Sequence, residues 1–157
     1  MNHHQARSRQ GHQTVAVTSE AYDEDIIVLR VLGEVTTEST PTIDLDVRRV
    51  CRSDPTVLLV DLTGVTFFGA AGLTLLLDIY RRTELSGTAL SLVASPRIVR
   101  LLVITDLARI FDVRGTLRHA VNAARDVLAN VPWQDLAAAT PPSGAGSRRR
   151  LLRPVPD

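Results

Sequence analysis

Lysine is missing from the 157-residue chain, and every basic side chain other than histidine is arginine. That one-sided choice reads as the codon bias of a GC-rich genome rather than a demand for guanidinium chemistry. Cysteine is almost missing too. The single Cys51 excludes an internal disulfide and fits a reducing compartment. In "RRVCRS" it has no histidine nearby in sequence, so it reads as a small helix-face residue and not as a nucleophile. No run reaches the ~18 apolar residues that a membrane span needs. The opening "MNHHQARSRQGHQ" also lacks the apolar centre of a secretory signal. A soluble, cytoplasmic protein without a membrane partner is expected.

Recognisable catalytic and metal patterns are absent as well. Cys and His show no metal-ligand spacing, and His3, His4 and His12 sit on a polar stretch without fixed geometry. "GTLRH" and "FFGAAGL" have neither the glycine spacing nor the lysine of a phosphate-cradling loop. His119 has no acid partner in its surroundings, and Asp61 has no base or second metal ligand beside it. The expectation is a non-enzyme that needs no cofactor.

What is present is a core and two unusual ends. The chain is 45% apolar, enough for one domain, and its net charge is +1. Arg7 and Arg9 lie in the first ten residues and Arg148, Arg149, Arg150 and Arg153 in the last ten. Without these six and Asp157, twelve arginines face sixteen acids, so the body is mildly acidic and the basic character belongs to the ends. A direct nucleic-acid partner is therefore not expected. Residues 1–13 read as a flexible tail, 14–131 as the domain, and 132–157 as a disordered segment rich in Pro, Gly and Arg.

Between the ends, strand and helix signals alternate. "TVAVTSEAYDEDIIVLRVLGEV" reads as a hairpin split at Asp23, Glu24 and Asp25. Ile43, Val47 and Val50 repeat at helical spacing after Pro41. "TVLLVDL" is an apolar run typical of a strand covered on both faces, and a helix over 71–85 stops at Gly87. "ALSLVA" is a further strand, and Ser95 and Pro96 start the next helix. "RIFDV" gives a last strand. The final helix carries Leu117, Val121, Ala124 and Leu128 on one face. The order β-β-α-β-α-β-α-β-α predicts a mixed, mostly parallel sheet of 4–5 strands with about four helices.

Three stretches resemble the STAS domain of bacterial anti-sigma factor antagonists, and the terminal helix fits that family as well. In "LRVLGEVTTESTPTI", Gly33, Glu34 and Pro41 match the family's turn, with Ser39 at its usual Thr and Thr36 at its Asp. "VLLVDLTGVTFFGAAGL" is similar to the family's central strand and its Asp-Ser-Ser-Gly-Leu junction, and "RIVRLLVITDLARIF" to its later helix and strand. The resemblance implies a single STAS-type α/β domain. It further implies a regulator that binds an anti-sigma factor, usually a serine kinase, and so controls transcription. In that family the kinase phosphorylates a junction serine and the complex dissociates. Carried over by position, Gly69 stands at the Asp, Ala70 at the first Ser and Ala71 at the phosphoacceptor, while Gly72 and Leu73 are retained.

Amides at a helix start attract negative charge, which suits a phosphorylated serine there. Ala71 has no oxygen to accept the group. Thr63, Thr66 and Thr74 lie close in sequence and read as structural hydroxyls in preference to substitute acceptors. In the following helix, Leu73, Leu76, Leu77 and Tyr80 are expected to face the sheet, leaving Leu75 and Ile79 outward as a partner patch. The expected partner surface is therefore Asp61, Thr63, Thr66, Gly69, Ala70, Ala71, Gly72, Leu75 and Ile79, with Gly33, Glu34, Thr36 and Ser39 as the motif turn. A homodimer stays open, and so does a scaffold or small-ligand sensor outside the sigma pathway.

Overall fold

A computed structural model describes residues 15–130. The expected end segments 1–13 and 132–157 lie outside the described residues. Five strands form one sheet in the order β1-β2-β3-β4-β5, namely β1 (Ala16–Ala21), β2 (Ile26–Val35), β3 (Val57–Phe68), β4 (Ala89–Val93) and β5 (Asp112–Arg114). The hairpin makes β1 antiparallel to β2, and every later pair is parallel. Four helices, α1 (Thr40–Arg52), α2 (Ala70–Ser86), α3 (Pro96–Ile104) and α4 (Leu117–Ala129), alternate with the strands, and a short 3-10 turn, Leu107–Arg109, precedes β5. The expected single α/β domain and its element order are what is observed.

Residues 57–62 of β3 are buried without interruption because both faces are covered. On one face, Leu58, Val60 and Leu62 join Leu29 and Val31 beneath Ile43 and Val47 of α1, Leu76 and Ile79 of α2, and Ile98 and Leu102 of α3. On the other, Val57 and Leu59 join Ile26, Val28 and Val93 beneath Ala120, Val121 and Ala124 of α4. The last strand begins later than expected, at Asp112, since Phe111 turns into the larger core and meets Tyr80 edge-on at 5.8 Å. Ser95 does precede α3 in an extended conformation, but its hydroxyl makes no capping hydrogen bond. Gly87 ends α2 with φ 72°, in the left-handed region where glycine is favoured.

The face of α2 differs from the sequence expectation. Leu75 and Ile79 are 8% and 1% exposed, so they are core residues and not an outward patch. The buried stripe is Gly72, Leu75, Leu76, Ile79 and Thr83, whereas Leu73, Leu77 and Tyr80 are half-buried at the edge of the same core. Apolar side chains occupy most of the circumference of α2, so hydropathy gave two near-equal phases. The true phase is marked by a glycine and a threonine, neither of which reads as apolar. Thr83 tolerates burial because its hydroxyl donates to the Tyr80 carbonyl at 2.9 Å.

The two phases make opposite predictions. Ile79→Ala is expected to cost about 2–5 kcal/mol, as for a core isoleucine. Leu85→Ala, at a position 91% exposed, should stay within about 0.5 kcal/mol of the parent in urea denaturation.

Candidate functional site

Val35 of β2 pairs with Phe68 of β3, so the β2–α1 and β3–α2 corners stand side by side at the carboxyl end of the strands. Open α/β sheets hold their ligands at this end. The structure thus brings the motif turn and the junction at residues 69–71 together.

The first corner is held by side-chain to backbone bonds. Gly33 has φ 97°, a conformation costly to any side chain. The Ser39 hydroxyl donates to the Glu34 carbonyl at 2.7 Å and accepts the Thr36 N–H at 2.8 Å. Thr36 Oγ1 in turn accepts the Ser39 N–H at 3.3 Å. Gly33, Glu34, Thr36 and Ser39 therefore form one locked turn ahead of α1, with Ser39 itself buried.

At the second corner Gly69 is extended (φ −121°, ψ −158°) and its carbonyl accepts the N–H groups of Gly72 and Leu73 at 3.0 and 3.2 Å. No side chain caps this helix start. Ala70 is exposed and Ala71 half-buried. Gly72 is buried against Phe68, and an added Cβ would come within 2.6 Å of that ring. Thr74 is exposed, and its hydroxyl donates to the Ala70 carbonyl at 3.2 Å.

Beyond the expected strand "TVLLVDL", the chain stays in strand as far as Phe68. β3 runs to Phe68, so Asp61, Thr63 and Thr66 all lie within it and Gly69 alone separates it from α2. Between the pairs Arg30–Asp61 and Glu34–Phe67, β2 advances four residues and β3 six, which places two bulges in β3. Asp61 is buried. Its Oδ1 accepts from the Thr63 N–H at 3.0 Å and from the Thr63 hydroxyl at 2.6 Å, and its Oδ2 lies 3.4 Å from Arg30 Nε. Its carboxylate thus shapes the bulge. Thr66 is exposed on the second bulge.

Sequence reasoning missed Arg30, Leu32 and Phe67. With Asp61, Thr63 and Gly64, the first two line a shallow open groove of about 300 Å³. The available signal was Arg30 interrupting an apolar strand. Cys51 is half-buried, and burial pushes its thiol pKa up, opposed by Arg82 and reinforced by Asp44, which suits a packing role. Among the described residues no cluster of three or more His, Cys, Asp or Glu could hold a metal, and no helix is long and apolar enough to cross a membrane.

These features define a mixed-sheet α/β domain whose distinctive residues gather at two adjoining strand-to-helix corners. The STAS domain family model matches residues 19–120, and the chain belongs to that family. An anti-sigma factor antagonist from Mycobacterium paratuberculosis is 30% identical, with a TM-score of 0.63 over 73% of this chain and 95% of that one. The Bacillus cell fate determinant SpoIIAA in its phosphorylated form aligns at 18% identity and TM-score 0.56, over 69% of this chain and 99% of that one. An anti-sigma-factor antagonist (STAS) domain protein from Planctomyces limnophilus aligns at 20% identity and TM-score 0.52, over 69% and 95%. The last two likenesses speak to the fold alone. A search of curated proteins by sequence finds no match.

Asp61→Ala removes the acceptor of both Thr63 hydrogen bonds and the partner of Arg30, and is expected to cost about 1–3 kcal/mol. Thr63→Ala leaves Asp61 bonded to the backbone and should cost about 1 kcal/mol or less. Urea denaturation of both variants checks the ordering.

Proposed function

We propose that the chain is an anti-sigma factor antagonist that binds an anti-sigma factor of the serine-kinase type through the two adjoining corners and so regulates transcription. The observation that carries this reading is the 30% identity to an anti-sigma factor antagonist, over nearly all of that protein's length. The partner surface consists of Thr66, Gly69, Ala70 and Ala71 beside the locked turn of Gly33, Glu34, Thr36 and Ser39. Asp61 and Gly72, both buried, support it from beneath, and the exposed Thr63 borders it. Leu75 and Ile79 take no part, being in the core.

Ala71 occupies the position that the family resemblance assigns to the phosphoacceptor, and a methyl group cannot receive phosphate. The antagonist is therefore expected to stay binding-competent in the presence of its kinase partner and ATP, with control exerted elsewhere. No catalytic role is assigned, and a cytoplasmic location follows from the role.

Mixing the chain with candidate kinase-type anti-sigma factors and ATP tests both statements. A stable complex and no labelled phosphate on the chain is the expected result. Label at residues 60–75 would overturn the unmodifiable junction, and failure to bind any candidate would count against the antagonist role. Exposed β1 at the sheet edge favours one other reading, a scaffold assembled through that edge. A large homo-oligomer on a sizing column would support the scaffold.

A further inference from the structure

The sheet half that α4 leaves bare carries apolar side chains with no assigned role. Leu32 is 45% exposed and Phe67 52% exposed. Leu32 lies across the ladder from Gly64, where an added Cβ would collide with Leu32 Cδ2. Phe67 stands opposite Glu34, and its neighbour Phe68 packs against the core. The carboxylates of Glu34, of Glu20 on β1 and of Glu38 in the β2–α1 corner form no ion pair or side-chain hydrogen bond among the described residues. Arg30 lies on the same face, drawn toward Asp61 at 3.4 Å, so an occupant suited to it carries apolar side chains with positive charge placed over the outer carboxylates.

The chain carries that combination in "RRRLLR", residues 148–153. The distances suit it. Arg125 of α4 lies 3.6 Å from Asp23 and 5.1 Å over the Tyr22 ring, so α4 hands the chain on beside the β1–β2 turn. From Ile26 at that turn to Leu32, the strand climbs about 20 Å. Arg148 comes eighteen residues after Asn130. Eighteen residues reach at most about 60 Å, enough for the segment to arrive at this face.

We infer that residues 148–153 dock in cis on this face, with Leu151 and Leu152 against Leu32 and Phe67 and the arginines over Glu34, Glu38 and Glu20. The docked segment covers ground next to Gly69, Ala70 and Ala71. Its regulatory meaning, self-masking of the partner surface, rests on the antagonist reading above; the docking itself does not. Charge contributes to the contact, so raised ionic strength weakens it.

A spin label at Ser147→Cys, in the full chain with Cys51→Ser, tests docking without any partner protein. At low salt the backbone amides of Leu32, Gly64 and Phe67 are expected to be broadened several-fold more than that of Ile104. The broadening should be lost in the Leu151→Asp, Leu152→Asp double variant and also in Leu32→Ser. Uniform broadening, broadening centred on another face, or indifference to the Leu151 and Leu152 changes would overturn the inference. Spin-labelled chain mixed with unlabelled nitrogen-15 chain separates cis docking from a second copy. Equal broadening in the mixture would assign the face to self-association and overturn docking in cis.

Discussion

One mismatch of lengths shapes the molecule. β3 has twelve residues and would span about 40 Å if fully extended, whereas the thirteen residues of α4 rise only about 20 Å as a helix. A strand that is apolar on both faces must be covered on both, and α4 covers only the stretch containing Val57 and Leu59. Beyond it the strand turns polar on that side, with Asp61, Thr63 and Thr66, and bulges twice. The other face is covered much further, because three helices pack there and Phe68 still reaches the core.

That asymmetry positions the candidate site. The extension of β3 carries its ladder with β2 up to the Val35–Phe68 pair, which sets the two strand-to-helix corners side by side. Asp61 stabilises the departure from regular pairing by accepting both polar hydrogens of Thr63. The junction itself presents only the small residues Gly69, Ala70 and Ala71.

Much of this was legible in the residues. Ile43, Val47 and Val50 marked the inner face of α1, Gly87 the end of α2, and the run at 57–62 the doubly covered strand. The phase of α2 was not legible, since its stripe includes Gly72 and Thr83 and its flanks are equally rich in leucine. Nor was the strand character of residues 63–68. Their mixed polarity imitates a loop, and bulges break the alternation by which a strand is recognised in sequence.

The sequence by itself determined the order of elements, the mixed sheet and the absence of a hydroxyl at position 71, because local periodicity, turn chemistry and side-chain identity are properties of the chain alone. Only the tertiary structure decided which leucines of α2 are buried, that Asp61 faces Thr63 and Arg30, and that Leu32 and Phe67 lie uncovered. Those outcomes depend on what packs against each surface, and the length of α4 relative to β3 is realised only when the two meet.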